Sequence, residues 1–250
     1  TQFKTSPLLN IAKKINCLLL EHKEDIGGRY SIFSNVGMVP AIIAGLDAKE
    51  IHKGARNVIE NYNKDNLYKL GQLFKFQQKT SLTSSVIMTY SDALQYFGKW
   101  YLQLWAESIG KDKKGITAIH SIGTTDQHSQ LQLYLDGPKD KFFTFITTDH
   151  SDRGLIINKD IIYEEKVDYL INKKMGDLMQ AEQQATLDTF NQNNIKFREI
   201  FIPIIDTYSI GSLMAASIIE TVAACVYFEV NPFNQPAVEQ GKILTKQYLR

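Results

Sequence analysis

The sequence predicts an α/β chain in which a parallel sheet is flanked by helices on both faces and preceded by a mostly helical segment. Three observations carry that expectation. After residue 80, short β-branched or aromatic runs alternate with helical patterns, as a parallel sheet with helical crossovers requires. Before residue 80 the apolar periodicity is helical, and no strand set is found. The chain of 250 residues is 44% hydrophobic and 22% charged, ordinary for a globular protein able to bury one large core or two small ones.

In chain order, Thr5-Ser6-Pro7 reads as a turn. A helix follows, with Leu8, Leu9, Ile11, Ala12, Ile15, Leu18 and Leu19 on a broad apolar face, until Gly27-Gly28 breaks it. Val36 to Ala48 is apolar and rich in small residues, with Pro40 near a helix start. After a break at Gly45-Leu46-Asp47, residues 48 to 62 form an amphipathic helix with cations at Lys49, Lys53 and Arg56. Residues 66 to 79 form another, with Leu67, Leu70, Leu73, Phe74 and Gln77 on one side. Ser85 to Tyr90 is a buried strand, and Asp92 is the expected N-cap of a helix over residues 93 to 108. Thr117 to Ser121 is a second strand, and His128 to Leu135 a helix stopped by Asp136-Gly137-Pro138. Phe142 to Thr147 is a third strand, and Asp149 to Lys166 a loop with room for a short hairpin. A long helix from Val167 to Asn191, a fourth strand from Phe197 to Ile205, an apolar helix from Ser209 to Phe228 and a last helix from Val238 to Leu249 complete the chain.

The formal net charge of +1 gives no field suited to nucleic acid. The densest basic group, Lys111 to Lys114, contains Asp112 and reads as a solvated loop. Cys17 and Cys225 both sit in apolar surroundings without a paired spacing, which predicts reduced, buried thiols of a cytosolic protein. The apolar segment Ile210 to Val230 carries Glu220 and Glu229, and its uninterrupted stretch is far below the ~20 residues of a membrane span. It reads as a core helix, and the first residues show no secretory signal pattern. No His or Cys pair has metal-ligand spacing, so no metal is expected.

Chemistry concentrates in four stretches. Trp105-Ala106-Glu107-Ser108-Ile109-Gly110-Lys111 places a lone carboxylate at the end of a long apolar run, and a helix in a core is a rigid mount for one base. The others are Gly27-Gly28-Arg29-Tyr30-Ser31, Asp126-Gln127-His128-Ser129 and Gln235 to Lys242. They contribute a guanidinium, an imidazole and an ammonium, which with the carboxylate make a set suited to proton transfer. Taken singly, each has a plainer reading: Glu107 as an exposed helix-end acid, Arg29 as a surface ion pair, His128 as a structural histidine, and Lys242 as a solvated helix residue.

At these residues the chain resembles the glucose-6-phosphate isomerase (phosphoglucose isomerase) family. One family signature runs acidic, any, aliphatic, Gly, Gly, Arg, Tyr, Ser, which Glu24-Asp25-Ile26-Gly27-Gly28-Arg29-Tyr30-Ser31 fits. A second runs Phe, Asp or Asn, Gln, any, Gly or Ala, Val, Glu, two free positions, Lys; residues Phe233 to Lys242 fit it throughout. Between them, Gln103-Leu104-Trp105-Ala106-Glu107-Ser108 and Gln127-His128-Ser129 stand in the family's order. The resemblance spans the chain but only the later half of the family's length. It implies a sugar-isomerase (SIS) type parallel sheet, with residues 1–66 as the helical tail of a first such domain and its connection, and 67–250 as the C-terminal one.

The resemblance also implies roles. Glu107 would shuttle a proton between C1 and C2 of an open-chain sugar through a cis-enediol, with Arg29 stabilising the enediolate. His128 and Lys242 would open and close the ring, Gln103 would bind substrate, and Gln235 would bind a sugar hydroxyl. Gln103 stands four residues before Glu107, so both face one way on a helix. Thr124 and Thr125 offer hydroxyls to a phosphate or simply build their turn.

The activity so implied is glucose 6-phosphate to fructose 6-phosphate isomerisation, in glycolysis and gluconeogenesis. It needs no cofactor and would take place in the cytoplasm. Its partners would be a sugar phosphate and a second copy of the chain, with His128 near the subunit interface, and neither nucleic acid nor membrane. The competing expectation is a sugar-phosphate-binding module without turnover, because much of the family's phosphate grip comes from Ser and Thr loops of the first domain.

Overall fold

The computed structural model describes residues 6–161 and 164–250. They form two compact units. One comprises the described residues through Gln72 with Gln103–Gly115 and Asp206–Arg250; the other comprises Leu73–Leu102 and Ile116–Ile205.

The second unit holds the sheet. Its strands are β1 (Ser84–Thr89), β2 (Thr117–Ile122), β3 (Lys141–Thr148) and β4 (Phe197–Ile202), all parallel, in the order β2-β1-β3-β4. β1 and β3 are buried along nearly their whole length, as strands covered on both faces must be. Val86 lies opposite Ile119 and Phe143, and Phe143 opposite Phe197, so these side chains share one face.

That face packs on Tyr134 of α6 (Thr125–Asp136) and on Leu187 and Phe190 of α7 (Met175–Gln192). Phe190 meets Phe143 and Phe145 edge-on, with ring centroids 4.8 and 5.0 Å apart. Such pairs add about 0.5–1.5 kcal/mol each beyond their buried area. On the opposite face, Phe142 contacts Phe76 near the end of α4 (Lys64–Lys79). There too the His120 ring lies on Gly98 of α5 (Gln95–Ile109), where a Cβ would come within 2.2 Å of the imidazole. Both faces are therefore covered, as expected.

The first unit is helical, and one crossing dominates it. α3 (Ala48–Asn61) packs on α8 (Thr207–Tyr227) through facing glycines. A Cβ on Gly54 would lie 2.0 Å from the Tyr208 carbonyl, and one on Gly211 2.0 Å from that of Ile51. α8 is long and apolar enough to cross a membrane by length and composition. It nevertheless carries Glu220 and buries Leu213, Ala215, Ala224 and Cys225 in its unit, while its buried Ser217 and Thr221 hydroxyls bond back to helix carbonyls.

Several expectations need correction. Of the predicted opening turn, Thr5 lies outside the described residues. α1 (Pro7–Lys14) is only eight residues, capped by the Ser6 hydroxyl. It ends because Ile15 closes it and Asn16 turns to φ +52°. Only Leu9 of its apolar face is buried; Leu8, Ile11, Ile15 and Leu18 are exposed. Cys17 follows that early ending and is exposed rather than buried.

In α2 (Asn35–Ile43) the helix starts at the Ser34 cap, which places Pro40 inside it instead of near its start. Ser91, not Asp92, supplies the cap before α5, through a short 3-10 turn. α7 begins at Met175 rather than Val167, because Glu165–Leu170 winds as 3-10 helix and Asn172 takes φ +64°. The Asp177 carboxylate then caps the Lys174 N–H. The loop before it forms a single antiparallel bridge, Ile156 to Lys174, and residues 162 and 163 of that loop lie outside the described residues.

Candidate active site

The first unit gathers most of the predicted site residues around Arg29. Gly27 and Gly28 lead into a 3-10 turn (Gly28–Phe33) that aims this side chain inward, where it is 2% exposed. Its Nε donates to Ser108 Oγ at 2.9 Å and its Nη1 to Glu107 Oε2 at 3.3 Å. Nη1 also donates to Gln235 Oε1. Nη2 donates to the carbonyls of Pro232 (2.5 Å) and Asn234 (3.2 Å). Tyr30 OH lies 2.8 Å from Ser108 Oγ and donates to Pro232 O at 3.1 Å.

Glu107 stands on the last turn of α5, its side chain 27% exposed. Gln103, one turn earlier, donates from Nε2 to Glu107 Oε1 at 3.0 Å. One carboxylate oxygen is thus oriented by an amide and the other by a guanidinium. Glu107 and Gln235 both line a cavity of about 540 Å³, with Lys111, Asn231, Asn234 and Pro236. A carboxylate fixed on both oxygens beside an open cavity can exchange a proton with a molecule placed there, and the adjacent cation can stabilise negative charge that develops on it.

Residues 14–250 match the family model for phosphoglucose isomerase. The chain belongs to the phosphoglucose isomerase family. It is 35% identical over 243 residues to a glucose-6-phosphate isomerase of Rubrobacter xylanophilus, covering 95% of this chain and 56% of that one. A solved hypothetical protein from Thermus thermophilus superposes with a TM-score of 0.91 at 31% identity, over 100% of this chain and 61% of that one. A glucose-6-phosphate isomerase from Chlamydia trachomatis shares the fold, with a TM-score of 0.77 at 21% identity over 98% of this chain and 51% of its own. The chain spans about half the length of the curated relatives it matches.

Within this family member the remaining predicted residues stand elsewhere. Lys242 is on α9 (Glu239–Tyr248), exposed, with its Nζ on Glu239 Oε1 at 2.6 Å, and does not line the cavity around Glu107. His128 belongs to the second unit, on the first turn of α6, and is exposed. Around it, Asp126 accepts the Ile122 N–H at 2.7 Å, and Gln127 accepts Tyr90 OH at 2.8 Å. Burial pushes that tyrosine hydroxyl up to about 12. Thr124 and Thr125 open α6. Among the described residues no three metal-binding side chains gather.

Two participants were missed by the sequence reading. Ser108, inside the quoted stretch, joins Arg29 to Tyr30. Lys111 is half-buried rather than solvated: its Nζ reaches the carbonyls of Glu107, Ser108 and Asn231. A cation within one turn of a helix C-terminus was the signal available for it.

Proposed function

We propose that this chain carries the acid–base machinery of a glucose-6-phosphate isomerase, interconverting glucose 6-phosphate and fructose 6-phosphate through a cis-enediol in glycolysis and gluconeogenesis. The observation that carries the reading is the Glu107 carboxylate braced between Gln103 and the buried Arg29 beside a cavity. Starting from the aldose, Glu107 takes the C2 proton of the open-chain sugar. The electron pair of that C–H bond becomes the enediol double bond, and the carbonyl oxygen at C1 gains a proton. Return of the proton from Glu107 to C1, as the C2 hydroxyl gives up its own, yields the ketose. Arg29 offsets the negative charge of the enediolate.

By family likeness, His128 and Lys242 open and close the ring, Gln103 binds substrate, and Gln235 binds a sugar hydroxyl. Residues 67–250 are read as the C-terminal SIS domain and 1–66 as the tail and connection of a first. The working form is read as a cytoplasmic homodimer with His128 near its interface. No cofactor enters the chemistry.

A Glu107→Gln variant tests this, in the 250-residue chain and in the same chain preceded by a relative's first domain. Isomerisation in a coupled fructose 6-phosphate assay should fall about 10²–10⁴-fold with KM changed little, the range of a positioned general base. Undiminished turnover removes Glu107 from this role. A second reading, a sugar-phosphate-binding module without turnover, keeps the cavity beside Glu107 and Gln235 as a binding site. It predicts saturable binding and no conversion by the 250-residue chain.

A further inference from the structure

Lys111 makes its hydrogen bonds to backbone from two distant stretches of the first unit. Its Nζ donates to Glu107 O at 2.9 Å and Ser108 O at 2.5 Å, carbonyls that the end of α5 leaves without helical partners. It also donates to Asn231 O at 2.7 Å, where the segment leading to Gln235 begins. An ammonium has three N–H donors, and each has an acceptor here. Burial, and after it the charge of Arg29, pulls the Lys111 pKa below the usual lysine value. Lys113 and Lys114, on the same loop, are exposed. Arg29 joins Glu107 to Gln235 through side chains. Lys111 joins the same two stretches through their backbones.

We propose that Lys111 is a positioning residue that ties the α5 turn bearing Glu107 to the loop bearing Gln235, fixing carboxylate and amide across their shared cavity. The inference rests on the reading of Glu107 as the base. A displacement of about 1 Å at a reacting group can cost about 10²-fold in rate, so a backbone tie at this point acts on turnover without touching substrate.

The test is hydrogen exchange on the 250-residue chain, comparing wild type, Lys111→Met and Lys111→Arg. In the Met variant, amides in residues 103–110 and 230–238 should exchange about tenfold faster, while β1 and β3 keep their protection. The Arg variant, which keeps a cation with N–H donors, should retain much of the protection. Unchanged exchange in either segment overturns the proposal, and so does equal loss across the sheet in both variants, which marks a purely structural lysine. In parallel, fructose 6-phosphate turnover should show kcat lower by about tenfold or more in the Met variant with KM within about twofold. Wild-type kcat in that variant overturns the proposal as well. If the 250-residue chain shows no turnover, kcat and KM are read in the chain preceded by a relative's first domain; absence of turnover there overturns the isomerase reading, and the exchange data still decide the tie.

Discussion

A guanidinium with almost no solvent contact must find its acceptors inside the protein, and Arg29 finds them on two stretches distant in sequence: Glu107 and Ser108 at the end of α5, and residues 232 to 235. Its planar fork suits that task, and a lysine at the same place could not reproduce it. Arg29→Met should therefore lower unfolding stability by about 3–5 kcal/mol, because it leaves Glu107 beside an uncompensated gap and strips several acceptors at once. Urea denaturation measures this, and adding Glu107→Gln to the variant should return part of the loss, giving a non-additive cycle. A simple sum of the two single effects would mean that the pair is not coupled. At this scale the sequence was informative where a motif named a side chain: Arg29, Glu107, Gln103 and Gln235 are joined by hydrogen bonds in the structure. It was silent where the partner is backbone. The carbonyls of Pro232, Asn234 and Asn231 carry no residue-specific signal, and Lys111 looked solvated because its sequence neighbours are charged.

Elements were legible in proportion to how locally their ends are written. β1 and β3 are apolar runs between turn residues, and the structure places them within a residue or two of expectation. α7 was overextended because the apolar pattern continues through a 3-10 turn that left-handed Asn172 separates from the helix. α1 was overextended because periodicity reports a face able to be buried, not one that is. α8 has a start that chemistry fixes: Asp206 Oδ1 accepts the Ser209 N–H at 2.7 Å, and Ser209 Oγ accepts the Asp206 N–H at 2.9 Å. The Ser209 N–H, then its hydroxyl, holds the Asp206 pKa below the usual carboxylate value. A carboxyl with a depressed folded pKa contributes stability above its unfolded pKa and loses it as pH falls through the folded one. Asp206→Ala should accordingly cost about 1 kcal/mol at neutral pH. The difference from wild type should shrink as denaturation is repeated at pH values falling through and below the carboxylate range. A gap that stays constant with pH would remove the charge from the account of this cap.

At the scale of the whole molecule, the proposed dimer makes a prediction about which copy of the chain would supply the His128 imidazole. Glu107 and His128 belong to different compact units, and the family resemblance implies a site completed by the neighbouring subunit. Symmetry makes the question decidable. In a two-fold dimer whose sites each take Glu107 from one copy and His128 from the other, a mixed dimer of Glu107→Gln and His128→Asn chains has one site with both defects and one site intact. Random reassortment of equal amounts gives half mixed dimers, so turnover should recover to roughly a quarter of wild type, although each variant alone is nearly inactive. If each copy supplies its own histidine, every site in the mixed dimer carries one defect and mixing restores nothing. The measurement is fructose 6-phosphate turnover after co-refolding, using whichever form of the chain shows wild-type turnover. Recovery must require subunit exchange, so the same variants mixed without unfolding should stay inactive for as long as the dimer does not exchange.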